Sequence, residues 1–178
     1  QITASHHPYH RNGLKFFTPA GGLDAPDITE ILELAQQGAC PAQEAPGVVL
    51  PCGYMKAYAQ RLRRTIQEGV GAADYEHPLK GFHIVVDAGN GAGGFYATDV
   101  LEPLGADVSG SQFLEPDGMF PNHVPNPENG EAMDSICQAV KAAHADLGVI
   151  FDTDVDRGAA VDSLGEEISR NRLVALAS

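Results

Sequence analysis

Leu147-Gly148-Val149-Ile150-Phe151-Asp152-Thr153-Asp154-Val155-Asp156-Arg157 is an apolar run that closes on three carboxylates at alternate positions. A run this short and this apolar reads as a strand buried on both faces, as in a parallel sheet. The acids then stand at its carboxyl end, where open α/β sheets bind ligands. Neighbouring carboxylates repel one another, and a hard divalent cation draws them together. Mg²⁺ suits them, because it takes oxygen ligands in a near-octahedral shell at roughly 2.0–2.1 Å. Asp152, Asp154 and Asp156 are therefore candidate metal ligands; the plain alternative is a solvated acidic turn. An EF-hand calcium loop is excluded, since its sixth position needs Gly and its twelfth Glu. This chain has Arg157 and Ser163 there.

Outward from that stretch, strand and helix patterns alternate. Strands are expected at residues 82–87, 106–111, 147–151 and 158–162, with helices at 95–102, 131–144 and from about 170. Residues 112–130 carry four prolines and two glycines and read as a long loop. In the first half, residues 1–4 read as a strand end and 14–17 as a strand, with a polar turn through Gly13 between them. A helix is expected from Asp27, with Glu30 completing a capping box, to the stop at Gly38. Residues 39–52 read as an irregular connection. A longer helix follows at 53–68, with Met55, Tyr58, Ala59, Leu62 and Ile66 on one face. The expected architecture is α/β, in three-layer α/β/α domains with mixed, largely parallel sheets. Residues 1–77 would form a partial first domain with a connecting helix, and 78–178 a second.

Composition narrows the function. The 178 residues include 43% hydrophobic ones but no apolar run near 18 residues, so no membrane-spanning segment is expected. The net charge of −13 argues against nucleic-acid binding, which uses a basic face. It leaves phosphate chemistry open, because a metal inverts the local field. Cys40, Cys52 and Cys137 form neither a disulfide framework nor a zinc pattern, and free thiols in a reducing cytoplasm are the expected setting. Gln1 follows no initiator Met, and Ile2-Thr3-Ala4 reads like a strand cut in half. Together these lead to the expectation of a fragment.

Two further stretches carry chemistry. Gly89-Asn90-Gly91-Ala92-Gly93-Gly94 satisfies the dinucleotide pattern between a strand and a helix. However, Asp87 would face an incoming pyrophosphate, and Ser111-Gln112 stand where a ribose-binding acid belongs. The rival to a nucleotide-binding module is a structural turn. The second stretch is Thr3-Ala4-Ser5-His6-His7-Pro8-Tyr9-His10-Arg11-Asn12-Gly13-Leu14-Lys15. Ser5, at a strand end beside histidines and near a lysine, is a candidate nucleophile; otherwise this is a polar turn. No carboxylate lies near in sequence to complete a Ser-His-Asp triad. If Ser5 meets the 152–156 loop, a phosphate on its hydroxyl would bring about −1.5 to −2 charges and three acceptor oxygens. One of them could complete the metal shell.

These residues resemble the α-D-phosphohexomutases, the phosphoglucomutase/phosphomannomutase family. Thr3-Ala4-Ser5-His6-His7-Pro8 with Asn12-Gly13-Leu14-Lys15 looks like its active-serine loop, and Asp152-Thr153-Asp154-Val155-Asp156-Arg157 like its metal loop. Val86-Asp87-Ala88-Gly89-Asn90-Gly91-Ala92-Gly93 resembles the opening of its second domain. Glu115-Pro116-Asp117-Gly118-Met119-Phe120-Pro121-Asn122-His123 with Pro125-Asn126-Pro127-Glu128 resembles the following loop. The resemblance implies that Ser5 is a phosphoserine and that Asp152, Asp154 and Asp156 bind Mg²⁺ together with it. It also places Arg157 beside the phosphoryl group and makes Lys15 and His6 candidates for proton transfer. The implied substrate is a hexose phosphate, interconverted between its 1- and 6-forms through a bisphosphate.

The resemblance further implies a four-domain protein, of which this chain would hold the later part of the first domain and most of the second. Such a piece would be inactive alone, or a non-catalytic metal-binding remnant. The chain departs from the family at His7, where Asn is usual. It departs again at Thr153 and Val155, where glycine or alanine is common, and bulkier residues there narrow the allowed backbone angles.

Overall fold

The computed structural model describes residues 1–3, 5, 7–38 and 47–177, with backbone only for Arg170, Leu176 and Ala177. The chain divides into two compact units, one of residues 1–4 and 12–52, the other of residues 5–11 and 53–178.

In the first unit an antiparallel bridge joins Ile2 and Leu14. The short strands β1 (Phe17–Thr18) and β2 (Gly21–Gly22) form a hairpin. Helix α1 (Ala25–Gln36) begins earlier than the expected Asp27. Asp24 is its N-cap, and the Asp27 carboxylate accepts from the Asp24 amide at 3.2 Å. Pro26 sits in the first turn, where a missing N–H costs nothing. No residue of α1 is buried.

The second unit opens with α2 (Tyr54–Val70), ended by Gly71 in the left-handed region. Next comes β3 (Ile84–Asp87), buried along its whole length. A one-turn 3₁₀ segment (Ala92–Gly94) leads into a π-helical segment (Tyr96–Leu101) and a second 3₁₀ turn (Glu102–Leu104). Helix α3 (Gly130–Ala143), β4 (Leu147–Phe151), β5 (Gly158–Asp162) and α4 (Arg170–Ala177) complete it. Among the described residues, no helix is long and apolar enough to cross a membrane.

The sheet order is β3-β4-β5, with β4 parallel to β3 and antiparallel to β5. On one face α3 sets Ala132, Ile136 and Val140 against Val85, Ile150, Ala159 and Val161. Each buried Val or Ile side chain among them contributes roughly 1.5–3 kcal/mol. Gly148 allows the close approach, because a Cβ there would come 2.4 Å from Val140. Elsewhere in the unit, Ala59 of α2 packs with Val100 and Leu104, flanked by Leu62, Ile66, Phe95 and Tyr96. That packing explains why α2, expected with the first lobe, groups with the second unit.

Three expectations are corrected. The strand at 106–111 reduces to two parallel bridges, His83 to Asp107 and Asp87 to Gln112. Between them the Asp107 carboxylate accepts from Ser109 N at 2.9 Å, and Gly110 takes φ +84°. The backbone therefore turns where a strand would continue. Instead of the α-helix expected at 95–102, the chain forms the π segment. Pro103 has no N–H to return to the Asp99 carbonyl in α-helical register, and the Arg63 guanidinium from α2 donates to that oxygen. Finally, β4 is buried at Gly148 and Ile150 but only half-buried at Leu147, Val149 and Phe151. The fully buried strand is β3.

Candidate active site at the end of strand β4

β4 delivers Asp152 to a fully buried position, and β5 returns the chain at Gly158. The intervening loop is closed on itself. Asp152 N donates to Arg157 O and Arg157 N to Asp152 Oδ1, each at 3.1 Å. Nε and Nη2 of Arg157 both reach Asp152 Oδ2 at 3.0 Å. Such charge-assisted pairing is among the stronger polar contacts a protein makes. Inside this frame, one carboxylate oxygen each from Asp152, Asp154 and Asp156 lies within 4.8 Å of the others.

Oxygen-only donors at this spacing suit a hard divalent cation. The protonation of Asp152 is set by its surroundings. Burial pushes its carboxyl up, the Arg157 backbone bond pulls it down, Asp156 pushes it up, and the Arg157 charge and Asp154 act in opposite senses. The net direction is upward. A cation held there would oppose this shift, because it favours the ionised carboxylate.

The loop carries strain where bulky residues were expected to cause it. Val155 adopts φ +66°, a left-handed conformation that costs a β-branched residue on the order of 1–3 kcal/mol. Beside it, Thr153 Oγ1 is buried with no hydrogen-bond partner. Val155→Gly is expected to raise stability by about 1 kcal/mol, the relieved strain exceeding glycine's unfolded-state entropy. A thermal melt checks this, and a lowered midpoint would show the valine to be unstrained.

Ser5 reaches this loop. Its hydroxyl accepts from Arg157 Nη2 at 3.0 Å, joining two stretches 152 residues apart in sequence. Ser5 is half-buried and also left-handed, at φ +51°. Asp156 and Arg157 border a cavity of about 300 Å³ that is also lined by Leu173 and Val174 of α4. Lys15 belongs to the other compact unit, and His6 lies outside the described residues.

The glycine-rich turn is filled by the chain itself. A Cβ at Gly94 would come 1.9 Å from Leu114 O, one at Gly91 2.9 Å from the Thr153 backbone, and one at Gly89 3.0 Å from His123 and Pro125. The one-turn 3₁₀ segment that follows presents no helix N-terminus for a pyrophosphate. These contacts favour the structural turn over the nucleotide-binding module.

A polar network centred on Asp87 was not anticipated as such. This carboxylate, fully buried at the end of β3, accepts from Gly89 N at 2.9 Å, Gln112 Nε2 at 2.7 Å and Ser135 Oγ at 3.2 Å. His123 Nε2 lies 3.0 Å from its Oδ1, and His123 Nδ1 lies 3.0 Å from the Val124 carbonyl. Both imidazole nitrogens face oxygen atoms, an arrangement that favours the protonated ring. Burial pushes its pKa down, but the bonds to Asp87 and Val124 and the charges of Asp87 and Glu131 outweigh this, and the net shift is upward. The only trace in the sequence was an acid closing an otherwise apolar strand.

Comparison with known proteins agrees with this architecture. The family profile described as phosphoglucomutase/phosphomannomutase, alpha/beta/alpha domain II, matches residues 56–165. A phosphoglucomutase of Neisseria gonorrhoeae is 33% identical over 175 residues, covering 98% of this chain and 36% of the relative. A phosphoglucosamine mutase of Paraburkholderia xenovorans is 34% identical over 178 residues, covering 97% and 36%. The crystal structure of a phosphoglucomutase/phosphomannomutase family protein from Burkholderia thailandensis superposes with a TM-score of 0.76 at 28% identity, covering 99% of this chain and 36% of that one. This chain thus spans little more than a third of the length of these relatives. With more than half of its residues inside the family profile, and with Asp152, Asp154 and Asp156 within that match, the chain belongs to the phosphoglucomutase/phosphomannomutase family.

Proposed function

We propose that the protein to which this chain belongs is a cytoplasmic phosphohexomutase, interconverting a hexose 1-phosphate and a hexose 6-phosphate through a phosphorylated Ser5 and a hexose 1,6-bisphosphate. The observation that carries this reading is the 3.0 Å bond from Arg157 Nη2 to Ser5 Oγ, which sets the serine against the acidic loop.

In the forward half-reaction a substrate hydroxyl oxygen bonds to phosphorus as the Oγ–P bond of phospho-Ser5 breaks. The hydroxyl proton passes to a base, for which Lys15 and His6 are the candidates. The electron pair of the broken bond returns to Oγ, where the Arg157 guanidinium donates to the developing alkoxide. Mg²⁺, held by Asp152, Asp154, Asp156 and an oxygen of the Ser5 phosphate, would supply further charge stabilisation. The second half-reaction returns the other phosphate of the bisphosphate to Ser5. The 178-residue chain alone should turn over little substrate, because transfer depends on substrate orientation by groups outside it.

The test is to treat the full-length protein with a hexose 1,6-bisphosphate and locate the phosphate by tandem mass spectrometry. Phosphate on Ser5 is the expected result. Phosphate on another residue, or none, would overturn the reading.

A further inference from the structure

The glycine-rich turn that follows β3 is not needed for a nucleotide, yet it is tightly built, and it lies against both neighbours of Asp152. A Cβ on Gly93 would come 2.9 Å from the Phe151 ring, and one on Gly91 2.9 Å from both Cα and O of Thr153. Between them, Ala92 N donates to Thr153 O at 2.9 Å. On its other side the turn is anchored by Asn90, whose Nδ2 donates to Glu115 O and whose Oδ1 accepts from Asn122.

The requirement at Gly91 is one of space and not of backbone angle. Its φ of −86° and ψ of −162° are open to any residue. Alanine at 91 therefore meets two backbone obstacles: Thr153, the residue between Asp152 and Asp154, at 2.9 Å, and less severely the Ala88 carbonyl of its own turn at 3.1 Å. Thr153 cannot retreat freely, because Asp152 is fixed by Arg157 and the next turn is held by Val155 N donating to Asp152 O at 3.3 Å.

We infer that Gly91 and the Ala92 amide are positioning groups for the acidic loop, fixing the spacing of Asp152 and Asp154 that a small divalent cation requires. The inference rests on the metal reading proposed above and adds to it a reason for selectivity. Ordinary contact to a Cβ begins near 3.4 Å, so a methyl group at 91 pushes the Thr153 backbone by several tenths of an ångström. Mg²⁺ demands near-ideal octahedral geometry, whereas Ca²⁺ accepts six to eight oxygens in irregular shells. A displaced loop should therefore lose the smaller ion first.

The experiment is calorimetric titration of the full-length protein with Mg²⁺ and, separately, Ca²⁺. Gly91→Ala is compared with wild type and with Val100→Ala, a cavity-forming change in the α2 cluster. Expected is a rise in the Mg²⁺ Kd of at least about 10-fold for Gly91→Ala, a clearly smaller change for Ca²⁺, and wild-type values for Val100→Ala. If Gly91→Ala does not fold, Ala92→Pro carries the test. It deletes the N–H that reaches Thr153, at the first residue of the 3₁₀ turn, where a helical φ suits the proline ring, and the same selective loss is expected. An unchanged Mg²⁺ Kd, or an equal loss for both ions, would overturn the positioning role. Failure of the wild type to bind Mg²⁺ would instead remove the metal reading and the inference with it.

Discussion

Ser5→Ala in the full-length protein is expected to lower kcat by at least ~10⁴-fold while leaving KM near the wild-type value. The hydroxyl is the atom to which phosphorus is bonded in the proposed cycle, and alanine offers no substitute nucleophile. Substrate binding should survive, since the bond lost from Ser5 Oγ is to Arg157 and Arg157 keeps its contacts to Asp152. For the same reason the variant should fold, which circular dichroism can establish before the assay. Turnover within tenfold of wild type would eliminate a phosphoserine cycle at this position.

Asp87→Ala should produce the largest loss of stability in the chain, about 3–5 kcal/mol, because it strips the carboxylate partner from buried His123 and leaves Gly89 N and the Ser135 hydroxyl without their acceptor. Urea unfolding measures it; a loss under 1 kcal/mol would mean that the network is not formed in solution. The wild-type protein should also show a pH signature. The His123 pKa is raised above its ordinary 6.5 in the folded state, so between the two values the native state binds more protons than the unfolded chain. The slope of stability against pH is then negative. The stabilisation is complete below about 6.5, declines as pH climbs through the higher folded value, and is lost above it. His123→Gln should flatten that segment of the profile.

How much of this was legible in the sequence depended on the range of the interactions involved. β4 and β5 were readable to the residue, because each is a local pattern bounded by charge or glycine. α3 was readable to within one residue at each end, because Met133, Ile136, Cys137 and Val140 recur at helical spacing. The acidic loop and its serine partner were readable as motifs. The contact joining them, from Arg157 to Ser5, required the fold. The π segment was hidden because its cause is divided between Pro103 and Arg63, which is forty positions away in a different helix. The Asp87 network was hidden for a similar reason: Gln112, His123 and Ser135 are drawn from an isolated bridge, a loop and a helix, with no shared period. The cap of α1 was misread by one turn because Asp24 and Asp27 are chemically interchangeable, and only backbone angles tell them apart.

Phe151 pairs with Gly158 across the antiparallel β4–β5 ladder, so the segment bearing Asp152, Asp154 and Asp156 is a hairpin tip with both stems locked in register. Its length is consequently a fixed quantity. One added or deleted residue has only two outlets: a bulge among the acids, or a slide of β5 that turns Ala159 and Val161 away from α3. Sequence drift in this region should therefore appear as exchange of side chains at constant count, and hardly ever as gain or loss of a position.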